Sequence, residues 1–305
     1  MMEKYNVALI DEWAENILRN GRKEATATEE YVDPFQPDMY VFQSVCANRF
    51  VRFERDGKFA FYAYFQPCYD KRAPLAVHTP GYGGEMSFHP EMATRWNVLH
   101  ISPLGYNTPR GKDRTKMTMN GCGAVYPETL LSGGVHGYAD WLTDCVTAIE
   151  WARKQSCVDS SRIAFFGTSQ GGGAAMLLSS IYSEERENGE RIVRAAAAEE
   201  PFLTDFRTAA GRGAYGMGAD LIAGLSEETK KKAEFYADTL HHTHRIFCPV
   251  LLTAGGKDGT CPAETVENLY RALSGTKSYT YFENAPHGYS REFLAMAAAW
   301  FSIYL

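Results

Sequence analysis

The sequence predicts an α/β fold, a mostly parallel sheet with helices on both faces and a helical cap insertion. Two observations carry that expectation. Short apolar runs alternate along the chain with longer stretches whose apolar residues recur at helical spacing. One of those runs, Arg162-Ile163-Ala164-Phe165-Phe166, enters the turn Gly167-Thr168-Ser169-Gln170-Gly171-Gly172-Gly173 and leaves it through Ala174-Ala175-Met176-Leu177-Leu178. That order reads as buried strand, tight turn, helix. A chain of 305 residues that is 45% hydrophobic can bury a sizeable core, and no linker divides it. One domain, residues 1–305, is therefore expected.

The elements follow in order. Ile10, Trp13 and Ile17 stand at helical spacing within 7–19. Asp33-Pro34-Phe35-Gln36-Pro37 is a loop. Residues 50–54 and 59–64 are strands around Asp56-Gly57, a hairpin turn that makes the start of the sheet antiparallel. Residues 74–78 and 97–101 are central strands, with the glycine loop Gly81-Tyr82-Gly83-Gly84 between them. The irregular stretch 105–134 has the length of a functional loop. Trp141, Cys145, Ala148, Ile149 and Trp151 mark a helix over 138–154, and Asp159-Ser160-Ser161 a turn ahead of the next strand. The run 192–198 is a strand in spite of its alanines, because the alternation requires one there. Residues 204–240 read as helical and polar, a cap segment. Strands at 249–254 and 277–282 and an apolar helix from Arg291 to Leu305 complete the chain.

Strand, Gly-x-Ser-x-Gly, helix is the nucleophile elbow of α/β hydrolases. The tight turn exposes the Ser169 oxygen above the sheet, and the helix N-terminus behind it favours developing negative charge. A serine hydroxyl needs a base, and the base needs an orienting acid. In this fold they follow in the order Ser, acid, His. His287 is the one histidine after the last strand. Asp258 stands in the loop after strand 249–254, the usual acid position. Glu199 and Glu200, at the end of the preceding strand, compete for the role. An oxyanion requires donors already aimed at it. The backbone N–H of Gln170 and that of Tyr82, in the loop after strand 74–78, are the expected pair. Gly81, Gly83 and Pro201 are the expected substrate-binding residues.

Composition excludes other classes. A net charge of −6 gives no electrostatic case for nucleic acid or an anionic membrane. No stretch approaches the length of a membrane span. Lys230-Lys231-Lys232 follows Glu227-Glu228 and reads as a solvated helix face. Seven scattered cysteines without a C-x-x-C pair fit reduced thiols, and no export leader is visible, so a cytoplasmic location is expected. His241-His242-Thr243-His244 lacks the cysteine or carboxylate that would complete a metal site, and is expected at the surface before a strand. His78 and His136 are expected in core or supporting roles. No metal and no cofactor are expected.

Four segments resemble the acetyl xylan esterase/cephalosporin C deacetylase family of α/β hydrolases. They are His78-Thr79-Pro80-Gly81-Tyr82-Gly83-Gly84, Gly167-Thr168-Ser169-Gln170-Gly171-Gly172, Pro201-Phe202-Leu203-Thr204-Asp205-Phe206-Arg207 and Asp258-Gly259-Thr260-Cys261-Pro262. The resemblance implies Ser169 as nucleophile, Asp258 as acid, His287 as base, and Tyr82 with Gln170 as oxyanion hole. It implies removal of acetyl groups from sugars and related alcohols, a small acylated substrate, and a homo-oligomer of six subunits. The chain departs from the family at Arg110-Gly111-Lys112 and at His287-Gly288-Tyr289, where the family carries Arg-Gly-Gln and His-Glu. Two further readings stand beside the esterase. One is a peptidase or amide hydrolase of the prolyl oligopeptidase clan, which shares the His-Gly form. The other is a non-catalytic binding protein on a hydrolase fold.

Overall fold

The computed structural model describes residues 6–30, 49–55, 59–68, 72–81, 89–101, 107–108, 111–112, 138–185, 188–215, 226–288 and 290–305. Its strands are β1 (Thr26–Glu30), β2 (Arg49–Arg55), β3 (Phe59–Gln66), β4 (Ala73–Thr79), β5 (Asn97–Ile101), a short pair β6 (Asn107–Thr108) and β7 (Gly111–Lys112), β8 (Val158–Thr168), β9 (Val193–Glu199), β10 (Val250–Gly255) and β11 (Lys277–Phe282). Its helices are α1 (Val7–Gly21), α2 (Pro90–Ala93), α3 (Tyr138–Arg153), α4 (Gln170–Ile181), α5 (Phe206–Gly211), α6 (Glu227–Ala237), α7 (Ala263–Ala272) and α8 (Arg291–Tyr304). A 3₁₀ segment, Thr239–Arg245, precedes β10.

Among the described residues, nine strands form one sheet in the order β1-β2-β3-β5-β4-β8-β9-β10-β11. The pairs from β1 through β3 to β5 are antiparallel. Those from β5 to β11 are parallel. The central strands are buried on both faces, so successive residues feed opposite cores. Leu75, Val77, Ile163, Phe165, Ala196, Ala198 and Leu252 join the core beneath α1, α3, α4 and α7. Ala76, Ala164, Phe166, Ala195, Ala197 and Leu251 join the other, with Met92, Trp96, Phe293, Ala297 and Phe301 from the α2 region and α8. The alanines of β9 thus serve both faces, and their small side chains let α4 and α8 close on the strand from opposite sides.

Three expectations are corrected. Asp159-Ser160-Ser161 does not precede β8 but lies inside it. The strand pairs Val158 with Ala73 and then Ile163 with Leu75, so the extra residues form an irregularity. The Asp159 carboxylate accepts from the N–H and hydroxyl of Ser161, which supplies the turn chemistry without ending the strand. The histidine run before β10 is not all at the surface. His242 is fully buried, with Nδ1 2.9 Å from Ser180 Oγ and Nε2 2.9 Å from the Tyr236 carbonyl oxygen. Burial lowers its pKa to about 3, so it is neutral. The segment 204–240 is polar only in part: most of α6 is, whereas Phe206, Ala209, Tyr215 and the last residue of α6, Ala237, belong to the larger core. Residues 216–225 of that segment lie outside the described residues, as do His136, the loop 33–37 and most of 105–134.

Candidate active site

The site sits where β8, β9, β10 and β11 end. Its centre is the turn from β8 into α4. Ser169 has φ 58° and ψ −121°, a left-handed conformation that a side-chain-bearing residue adopts only under constraint. The constraint is visible on both sides. The Ser169 N–H donates to the Glu199 carbonyl oxygen at 2.8 Å, and its own carbonyl accepts from the N–H groups of Gly173 and Phe202 at 3.0 and 2.9 Å. Thr79 Oγ1 at the end of β4 donates to the Gly171 carbonyl oxygen at 2.7 Å, which fixes the first turn of α4 to the sheet.

His287 follows β11 and places Nε2 3.0 Å from Ser169 Oγ. Its Nδ1 lies 2.8 Å from Asp258 Oδ2. The partners define the tautomer: Nδ1–H donates to the carboxylate, and Nε2 accepts from the serine hydroxyl. Asp258 is held by its other oxygen, since Oδ1 accepts from the N–H groups of Thr260 and Cys261 at 2.7 and 2.8 Å. The same carboxylate therefore orders the entry to α7 and presents Oδ2 to the imidazole. Burial opposes a charge on His287, but hydrogen bonds to Asp258, Cys261 and Glu200 outweigh it and raise its pKa above the ordinary histidine value.

The two glutamates that end β9 flank this group. Glu199 accepts from Thr168 Oγ1 at 2.6 Å, from the Ser290 N–H at 3.1 Å and from the Ser290 hydroxyl. It thereby ties the elbow strand to the start of α8, and burial pushes its pKa up to about 7 despite those bonds. Glu200 Oε2 accepts from the Gly288 N–H at 3.0 Å and lies 3.1 Å from His287 Nδ1.

Of the residues expected from sequence, Ser169, His287 and Asp258 come together within hydrogen-bond reach. Gln170 is the first residue of α4, directly after Ser169. Pro201 lies beside the elbow, its Cα 3.1 Å from where a Cβ on Gly172 would stand, closer than an ordinary van der Waals contact. Gly81 follows β4 by two residues, while Tyr82 and Gly83 lie outside the described residues. From sequence alone, Glu200 is only a rival to Asp258 for the role of acid. The pair Glu199-Glu200 at a strand end was the available signal, but not that both acids would be engaged at once.

Two groups among the described residues hold donor atoms suited to a metal ion. Asp258, Cys261 and His287 are one, but burial pushes the Cys261 thiol up to about 11, so it is no thiolate ligand. His78, His89 and His100, all buried on the α2 side of the sheet, are the other. Nδ1 of His78 and Nδ1 of His100 lie 2.6 Å apart, a distance for a shared proton. Two nitrogens on one tetrahedral zinc would stand roughly 3.3 Å apart, from zinc–nitrogen bonds of about 2.0–2.1 Å. No carboxylate belongs to the group to balance a buried dication. The three rings are packed imidazoles that burial keeps neutral, with His78 hydrogen-bonded to His100, His78 and His89 4.1 Å apart and His89 edge-on to Phe166.

A parallel sheet with an antiparallel start, a strained serine between strand and helix, and histidine and acid at later strand ends define an α/β hydrolase. The chain belongs to the acetyl xylan esterase (AXE1) family, whose sequence model matches residues 51–304. Among solved structures it is similar to the acetyl xylan esterase of Paenibacillus sp. R4, with 21% identity, a TM-score of 0.76 and coverage of 99% of this chain and 95% of that one. Acetyl xylan esterase 1 of Thermoanaerobacterium sp. JW/SL YS485 matches at 19% identity and a TM-score of 0.74, over 95% and 92% of the two chains. Pyrococcus horikoshii acylaminoacyl peptidase matches at 17% identity and a TM-score of 0.60, over 84% of this chain but 40% of the peptidase. Two Escherichia coli relatives, described as uncharacterised 31.7 kDa proteins of the traX-finO intergenic region, are 27% identical. Those matches cover 47% of this chain and 63% of the relatives.

Proposed function

We propose that this protein is a serine carboxylesterase that removes acetyl groups from acylated sugars or similar small alcohols. The observation that carries the reading is the continuous hydrogen-bonded line from Ser169 Oγ through His287 to Asp258, 3.0 and 2.8 Å at its two links, set on a strained elbow. Family membership and the likeness to two acetyl xylan esterases over nearly the whole chain support the acyl group and the substrate class.

The mechanism is two-step acyl transfer. Ser169 Oγ attacks the acetyl carbonyl carbon while its proton passes to Nε2 of His287. The imidazolium is stabilised at Nδ1 by Asp258. The oxyanion is taken by the N–H of Gln170 and that of Tyr82. When the tetrahedral adduct collapses, the C–O bond to the alcohol breaks and Nε2 returns the proton to the departing oxygen. Water then attacks the acetyl-serine, giving a proton to Nε2. The second collapse returns that proton to Ser169 Oγ and frees acetate. No cofactor enters the cycle.

The test is hydrolysis of p-nitrophenyl acetate, acetylated xylose and xylo-oligosaccharides by the wild type and by Ser169→Ala. The reading expects turnover with preference for acetyl over longer acyl chains. Activity that survives in Ser169→Ala ends it. The fold match to an acylaminoacyl peptidase keeps a second reading in the same assay. Turnover of aminoacyl amides, with acetyl esters ignored, selects a peptidase instead. The homo-oligomer, six-membered by the family resemblance, is part of the same proposal and is checked by light scattering.

A further inference from the structure

Glu200 occupies a position that the esterase reading leaves without a role. Its side chain is 4% exposed, and its Oε2 stands 3.1 Å from the same nitrogen, His287 Nδ1, that Asp258 Oδ2 reaches at 2.8 Å. The backbone is shaped for this. Glu200 has φ 45°, a left-handed conformation uncommon for a residue with a long side chain. Its N–H donates to the Thr253 carbonyl oxygen at 2.9 Å, which fixes the kink against β10. Space is kept for the carboxylate as well. An added Cβ at Gly255 would stand 2.6 Å from Glu200 Oε1 and 2.6 Å from the Ala285 carbonyl oxygen, so only glycine fits the end of β10. The second bond of Oε2, from the Gly288 N–H at 3.0 Å, grips the backbone just past the imidazole.

The four groups facing His287 come from three segments of the chain. Ser169 lies on the β8–α4 turn, Glu200 follows β9, and Asp258 and Cys261 lie on the β10–α7 loop. Glu199 is turned away toward Thr168 and Ser290. Two carboxylates therefore converge on one ring nitrogen, and the neutral thiol adds no charge. A buried polar group with a defined partner is retained only where that partner compensates its burial.

We propose that Glu200 is a positioning residue: with Asp258 it forms a forked carboxylate acceptor for the Nδ1 proton of His287, and it orients the imidazole alone when Asp258 is neutralised. The proposal rests on the esterase reading for its kinetic consequence, but not for the forked hydrogen bond itself. A residue that only braced the loop would leave the basicity of His287 unchanged, whereas an acceptor carboxylate sets it.

The experiment compares wild type, Glu200→Gln, Asp258→Asn and the double variant on p-nitrophenyl acetate, with kcat/KM measured against pH. Glu200→Gln keeps an acceptor oxygen and removes the charge. The expected result is a fall in kcat of about tenfold with KM within about twofold, and an acid limb displaced downward by about one pH unit. Adding Glu200→Gln to Asp258→Asn should cost at least about tenfold more than adding it to the wild type. An unmoved acid limb together with equal losses in both backgrounds overturns the proposal. NMR titration of His287 in Asp258→Asn gives a readout that needs neither turnover nor a folded Glu200 variant. A pKa still above about 6.5 supports the fork, and one at or below that value refutes it. A protein that shows the NMR result yet hydrolyses no ester would refute the esterase reading alone.

Discussion

A side chain on Gly171 would overlap the carbonyl oxygen of Thr79: the first turn of α4 is pressed directly against the end of β4. The contact is reinforced from the other direction by the hydroxyl of Thr79, which donates to the Gly171 carbonyl. Neither partner can retreat. Thr79 belongs to a strand paired on both sides, and Gly171 to a helix buried throughout. Gly171→Ala should therefore force the elbow open. The expected cost is about 3 kcal/mol or more, at the upper end for overpacked cores. A urea melt reads that loss, and a variant within about 0.5 kcal/mol of wild type would show the contact to be soft.

The φ of 58° at Ser169 makes a second expectation, one that separates strain from chemistry. Left-handed backbone at a residue with a Cβ costs on the order of 1–3 kcal/mol. Glycine removes that cost but adds roughly 0.5–1 kcal/mol of unfolded-chain entropy. Ser169→Gly and Ser169→Ala both lack the hydroxyl, so both should be inactive. Only the glycine relaxes the turn, so it should melt about 2–4 °C above the alanine variant by calorimetry. An alanine variant that melts as high or higher would mean the elbow carries little strain.

The elbow was legible because everything that makes it is local: a buried strand, a serine between glycines, a helix. Strands β10 and β11 were legible for the same reason, and their ends pointed to Asp258 and His287. Other features depend on partners far along the chain. Glu200 reaches His287 only because its own φ is positive and Gly255 leaves room, and neither fact is written in the residue types. His242 stood in a polar run yet is buried, because Ser180 and the Tyr236 carbonyl satisfy both ring nitrogens. Asp159-Ser160-Ser161 carried turn chemistry, but the flanking pairs with β4 continue through it. His78 reads from sequence as a core or supporting residue rather than one that lines the pocket. That it faces His100 across the β4–β5 register, with His89 on top, required the sheet.

The pH dependence of catalysis follows from the acceptors of His287. The base works only when neutral. The hydrogen bond from the imidazole to Asp258, and the Glu200 carboxylate 3.1 Å from the same nitrogen, favour its protonated form. Activity must then rise with pH through a midpoint above the ordinary histidine value of about 6.5. Asp258→Asn should carry that midpoint downward while lowering the plateau. Profiles of kcat/KM on p-nitrophenyl acetate between about pH 5 and 10 read both. A wild-type midpoint well below about 6.5 would contradict the acceptor arrangement.

The three buried histidines on the α2 side of the sheet predict an acid weakness of the fold itself. Burial lowers the pKa of His89 to about 4, and holds His78 and His100 well below the usual range. In the unfolded chain each titrates near 6.5. The unfolded state therefore binds more protons between those values, so stability is present above about pH 6.5 and is lost as pH falls below it. For His89 alone the loss at pH 5 is about 2 kcal/mol, from about 1.4 kcal/mol per pH unit. His89→Phe keeps an aromatic ring against Phe166, its edge-on neighbour at 5.3 Å, and removes the titrating group. The variant should lose less stability than wild type between pH 7 and pH 5, by about 2 kcal/mol in denaturant melts at the two pH values. Parallel losses in the two proteins would mean that His89 is charged in the folded state and that the cluster is not the neutral one its geometry describes.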